Sequence, residues 1–178
     1  LPMDYLKDAR KLADRHGLTV VASARDEAKG VAAQQRLVEQ GLDAHFILLD
    51  VTSATSIQAA MGRIEATFDR LDVLVNNAGI LVDGETRIDE LGLAVLSNTL
   101  ETNAYGPLLL CQAAAALMKR HRYGRIVNMS SSLGALTEIA NPDSAYGEIQ
   151  APAYRMSKTL LNAITVLMAK ELRGSNIL

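Results

Sequence analysis

The chain has 178 residues, 49% of them hydrophobic, and a formal net charge of −2. It is long enough for one domain with a sizeable core and short for two. Lysines and arginines are scattered among acids, which excludes the basic footprint of a nucleic-acid binder or an anionic-membrane surface protein.

Aromatics make up only 4% and tryptophan is absent, so Ala, Val, Leu and Ile must carry the core, as in helix-covered parallel sheets. The longest apolar stretches, such as 107–118, are too short and interrupted to span a bilayer, so no membrane partner is expected. The single cysteine, Cys111, lies in an apolar helical run and reads as a small core residue of a cytoplasmic chain. His16, His45 and His121 show no ligand spacing, and no metal site is expected.

In chain order, residues 4–16 place Leu6, Ala9, Leu12 and Ala13 on one helical stripe, and Gly17 stands where a helix stops. Residues 18–24 form a short, apolar, β-branched run, read as a buried strand. Helical spacing returns over 26–40 and ends at Gly41. Residues 45–51 are a second strand. Ser53 and Thr55 are cap candidates for a helix through about Phe68. A third strand, 72–75, ends in Asn76-Asn77-Ala78-Gly79.

A looser stretch, 80–91, leads to a long helical segment from about 93 to 122. Gly106-Pro107 interrupts it, so a kink or break is predicted there. A fourth strand, 124–129, ends in Ser130-Ser131-Ser132. Residues 133–150 have no clear period and read as a loop with room for one short helix. Pro152 then opens a helix that runs to about Leu172.

Helix and strand alternate throughout, which predicts an α/β fold of the Rossmann-like, doubly wound kind: one domain over 1–178, a parallel sheet with helices on both faces. Ligands of such sheets gather outside the strand C-termini. Arg25, Asp50, Asn76 to Gly79 and Ser130 to Ser132 all fall there. Four residues is just over one helical turn, so Tyr154 and Lys158 share a face. An ammonium close to a phenol favours the phenolate. Such a pair can exchange a proton with a substrate oxygen.

Three motifs in this order, Asn76-Asn77-Ala78-Gly79 after a strand, Gly124-Arg125-Ile126-Val127-Asn128-Met129-Ser130-Ser131 at the next, and Tyr154-x-x-x-Lys158 opening a helix, resemble the short-chain dehydrogenase/reductase family. The wording Ala24-Arg25-Asp26 and Ala153-Tyr154-Arg155-Met156-Ser157-Lys158 is similar to its monomeric carbonyl-reductase branch. The resemblance runs from about Asp8 to the C-terminus. It implies an oxidoreductase that reduces a ketone or aldehyde to an alcohol by hydride transfer from a nicotinamide cofactor.

In that likeness Tyr154 would be the general acid that protonates the carbonyl oxygen. Lys158 would favour its phenolate and hold the nicotinamide ribose, and Ser131 would hydrogen-bond the substrate oxygen. Ser130 and Ser132 are left as loop hydrogen-bonders. Asn103 would anchor the water chain that resupplies Lys158. Asp50 and Val51 would flank the adenine, and Asn77, Ala78 and Gly79 would bring backbone close to it. A guanidinium pairs with the 2′-phosphate of NADP, whereas a carboxylate accepts from the ribose of NAD. Arg25 after the strand, with Ala24 before it, therefore favours NADP(H) over NAD(H).

The sequence also departs from the family. The glycine-rich turn that opens these proteins would end near Met3, Asp4 and Tyr5, where no glycine stands. A side chain there opposes close approach of backbone to the pyrophosphate. The strand before it and the segment after Leu178 are not in this sequence, so the sheet is expected to be incomplete at both ends. Unpaired edges could be met by a neighbouring chain, by closure of the sheet, or by the rest of a longer protein. Two readings stand: an NADP-dependent carbonyl reductase acting on a small-molecule carbonyl or alcohol, and a dehydrogenase-derived chain without cofactor binding that serves as an oligomerising or scaffold module. Helices 93–122 and 154–172 offer packing faces for a homo-oligomer.

Overall fold

The computed structural model describes residues 17–178. The helix expected over 4–16 and the Met3–Tyr5 turn position lie outside the described residues. The chain divides into two compact units, the first ending at Asp50 and the second covering Val51–Leu178.

In the first unit β1 (Val20–Ala24) pairs in parallel with β2 (Ala44–Leu48), with α1 (Glu27–Glu39) as the crossover between them. The Asp26 side chain caps α1 by accepting from the Lys29 amide at 3.0 Å. Leu37, Leu42 and Ala44, with Val20 against them, form the core of this unit. The ladder runs to Ala24 opposite Leu48, with Leu49 N donating to Ala24 O at 3.0 Å. Arg25 and Asp50 therefore follow two strands that end together.

The second unit opens with α2 (Ala54–Phe68), capped by Ser53, which accepts from the Ser56 amide. β3 (Val73–Asn76) and β4 (Arg125–Asn128) pair in parallel, with Asn76 opposite Asn128. Between them lie α3 (Leu93–Leu100), one wide π-turn (Glu101–Tyr105) and α4 (Gly106–His121). The expected break at Gly106-Pro107 is a π-turn instead. The widened turn, closed by Gly106 N donating to Glu101 O, ends as Pro107 enters the first turn of α4.

After β4 come a 3₁₀ turn (Ser132–Gly134), a short α5 (Leu136–Ala140) and α6 (Pro152–Glu171). α4 buries Leu110, Cys111, Ala114, Ala115, Leu117 and Met118. It packs on β3, α2 and α6. Each buried leucine contributes roughly 1.5–3 kcal/mol of transfer free energy. Cys111 is fully buried, and burial pushes its thiol pKa up. Its Sγ accepts from Asn76 Nδ2, which also donates to Asn128 Oδ1 at 2.8 Å. Asn128 Nδ2 in turn donates to Thr165 Oγ1 on α6. These bonds tie the last ladder pair to both helices.

The described strands thus form two separate two-stranded parallel sheets. Ile177 makes a parallel bridge to Gly124, and Ile126 N donates to Leu178 O at 2.7 Å, so chain pairing continues beside β4. No described helix is long and apolar enough to cross a membrane.

Candidate active site

α6 starts at Pro152, whose fixed φ suits a first helical turn. The preceding residue, Ala151, has φ 48°, a left-handed conformation that costs a non-glycine residue energy. Ala151 also offers no side chain to cap the helix. Buried residues Ala153, Ser157, Lys158, Leu161 and Ile164 follow at helical spacing and face the core.

That stripe carries Lys158 inward. The side chain is only 5% exposed, and Nζ donates to Met129 O, at the end of β4, at 2.6 Å. Nζ also lies 5.6 Å from the centroid of the Tyr154 ring. Burial lowers the Lys158 pKa by disfavouring its charged form. Tyr154 is half-buried at the mouth of this arrangement.

Gly134 makes the arrangement possible. A Cβ there would sit 2.5 Å from Lys158 Cβ, 2.7 Å from Lys158 C and 2.8 Å from Thr159 N. Two of those three atoms belong to backbone, so only glycine lets the turn after β4 lie this close to α6. Thr159 Oγ1 and Asn162 Nδ2 both donate to Gly134 O across the contact. Ser131 caps this same turn, accepting from Leu133 N at 3.2 Å, and is half-buried. Ser130 Oγ donates to Asn162 Oδ1 and is exposed.

Asn103 lies in the π-turn and is fully buried. Its Oδ1 accepts from Ile80 N and its Nδ2 donates to Ile80 O, each at 2.8 Å. The same Nδ2 donates to Ser157 Oγ at 3.0 Å, and Ser157 Oγ donates to Tyr154 O at 2.7 Å. Gly79 joins the group: a Cβ there would meet Asn103 Oδ1 at 3.4 Å and Lys158 Nζ at 3.7 Å. Asn103, Gly79, Tyr154 and Lys158 are therefore neighbours, with Ser131 three residues before the Gly134 contact.

Asn77 and Ala78 precede Gly79 on the loop after β3, and Asn77 Oδ1 is buried without a hydrogen-bond partner among the described residues. Val51 O lies 2.5 Å from where a Gly106 Cβ would stand, which holds Val51 against the start of α4. Arg25 is exposed on the turn between β1 and α1, and Asp50 is half-buried after β2. No cluster of three or more metal-ligating side chains occurs among the described residues.

One site neighbour is invisible to sequence reasoning. Asp83, in the loop after Gly79, is 1% exposed, and its Oδ2 accepts from Ala153 N at 2.5 Å across seventy residues of sequence. Only an acid in an otherwise apolar loop start signals it.

These elements define a Rossmann-like α/β protein with a buried lysine and a tyrosine one turn apart at the C-terminal ends of parallel strands. The short chain dehydrogenase profile matches residues 7–178, and the chain belongs to that family. It is 32% identical over 150 residues to a short-chain dehydrogenase/reductase of Aspergillus fumigatus, covering 83% of this chain and 56% of the relative. It is 39% identical over 127 residues to mouse carbonyl reductase [NADPH] 3, covering 70% of this chain and 44% of that protein. Among solved structures it superposes on a metagenomic short-chain oxidoreductase in complex with NADP with a TM-score of 0.82. The two are 31% identical over 97% of this chain and 72% of that one. The chain spans about half the length of the curated relatives it matches.

Proposed function

We propose that this site interconverts a small-molecule carbonyl and the corresponding alcohol with NADP(H). The observation that carries the reading is the Tyr154–Lys158 pair, with the amine buried, pinned to Met129 O and 5.6 Å from the phenol ring. The residues suit a nicotinamide nucleotide. Lys158 has three protons and one hydrogen bond among the described residues, and Asn77 Oδ1 is a buried acceptor that lacks a donor. A hydroxyl-rich ribose could satisfy both kinds of group.

When bound, a nicotinamide would supply or accept the hydride. The chain's own work is proton handling and orientation. Tyr154 holds a proton at Oη and delivers it to the substrate oxygen, and Ser131 Oγ donates a hydrogen bond to that same oxygen. Lys158 stabilises the phenolate left behind and holds the ribose hydroxyls. Asn103 anchors the route by which Lys158 is resupplied with protons. With a nucleotide bound, Val51 and Asp50 would flank the adenine, Asn77 to Gly79 would bring backbone close to it, and Arg25 would pair with a 2′-phosphate. The NADP and NADPH in the names of two relatives support this preference.

Titration with NADPH and, separately, NADH, followed by nicotinamide fluorescence, tests the cofactor half. Saturable NADPH binding, with turnover of aldehydes or ketones that Tyr154→Phe abolishes while leaving binding intact, is the expected result. Turnover persisting in Tyr154→Phe overturns the catalytic assignment. A folded chain that binds neither nucleotide leaves the oligomerising or scaffold reading in place.

A further inference from the structure

We infer that Asp83 is a positioning residue for Tyr154: it caps the catalytic helix from outside and fixes where its first turn stands. The inference rests on the reading of Tyr154 as the proton donor. α6 cannot cap itself, because Ala151 has no polar side chain, Pro152 has no N–H, and no local side chain bonds the helix start. Ala153 N–H is therefore the first free donor of the helix. It is fully buried, where an unmet donor would be costly. Asp83 Oδ2 supplies the acceptor at 2.5 Å.

The placement of that bond gives it a role beyond capping. Ala153 immediately precedes Tyr154. On the other side of the tyrosine, Tyr154 O accepts from Ser157 Oγ, which accepts from Asn103 Nδ2. Asn103 grips Ile80 by both N–H and C=O. The four-residue segment 80–83 therefore touches the first turn of α6 at both ends, once through Asn103 and Ser157 and once through Asp83. The peptide of Tyr154 is bracketed between them. That segment directly follows Asn77 to Gly79. Tyr154 is thus held to the loop at the end of β3 rather than only to its own helix.

Asp83→Ala and Asp83→Asn separate this role from others. Asparagine keeps a carbonyl acceptor for Ala153 N–H, and alanine does not. Amide hydrogen exchange by NMR should show Ala153 and its first-turn neighbours exchanging on the order of tenfold faster in Asp83→Ala and at the native rate in Asp83→Asn. With NADPH and a turned-over carbonyl, kcat should fall roughly tenfold to a hundredfold in Asp83→Ala, with NADPH affinity unchanged, and recover in Asp83→Asn. Unchanged exchange in Asp83→Ala overturns the inference. So does a kcat loss in Asp83→Asn with native exchange, which would assign the effect to charge. If Asp83→Ala fails to fold, Asp83→Ser, too short to reach Ala153 N, replaces it with the same expectations. Absence of turnover in the unmodified chain would defeat the carbonyl-reductase reading alone, since the exchange comparison still decides whether Asp83 holds the helix.

Discussion

Lys158 Nζ donates to Met129 O at 2.6 Å, so a helix residue is hydrogen-bonded to the last peptide before the serine turn. The bond fixes the ammonium by backbone rather than by a carboxylate. Among the described residues burial, not a charged partner, is what shifts this amine.

A pH dependence follows from the burial of this amine. Its pKa is lowered on folding, so between the folded value and the ordinary 10.5 the unfolded chain binds more protons than the native one. Stability must then rise with pH across that window, and below it the full penalty of burying the charge is present. Urea unfolding of the native chain and of Lys158→Met at neutral pH and near pH 10 checks this. The native chain should gain on the variant as pH rises. A gap that stays constant would mean the amine titrates normally.

Gly134→Ala should cost about 1–3 kcal/mol, because the added methyl meets Lys158 and Thr159 backbone at 2.7 and 2.8 Å. Gly62→Ala, in the middle of α2 with nothing within 4 Å of the new Cβ, should instead stabilise by about 0.5–1 kcal/mol. Denaturant midpoints for the two variants should move in opposite directions.

Removing the Asn103 amide orphans Ile80 N–H, Ile80 C=O and a hydrogen bond to Ser157. Each buried group left unmet costs about 1–3 kcal/mol. Asn103→Ala should therefore lower unfolding free energy by about 2 kcal/mol or more. A change below half a kcal/mol would show that water replaces the amide.

Arg25→Glu should weaken NADPH binding by roughly tenfold or more and leave NADH binding less affected or improved, since a carboxylate repels the 2′-phosphate and accepts from ribose hydroxyls. Equal effects on both nucleotides would remove Arg25 from the selectivity of the site.

Much of this architecture was legible because it is periodic. The runs at 18–24, 45–51, 72–75 and 124–129 announced four strands. The structure shortens the first and last to Val20–Ala24 and Arg125–Asn128, starts the second one residue earlier and ends it three earlier (Ala44–Leu48), and moves the third on by one residue (Val73–Asn76). That Tyr154 and Lys158 share a helix face was legible from spacing, but their reading as a working pair rested on the family resemblance of the motifs around them. The π-turn was not. Gly106-Pro107 drew attention as a breaker, but the distortion sits in Glu101–Tyr105, where buried Asn103 and Ala104 both need to face inward. Asp83 was illegible for a different reason. Its partner is seventy residues away, and a loop acid carries no local sign of whether it meets water or a helix end.

The π-turn also works as a phase shifter. Because it holds one residue more than an α-helical turn, α3 and α4 present faces that a straight helix could not. α3 packs on α6, while α4 packs on β3 and α2 as well. α6 is thereby met by two helices whose faces are set in different phases. Deleting one residue from 101–105 would restore ideal pitch, turn one helix about a third of a revolution against the other, and withdraw Asn103 from Ile80.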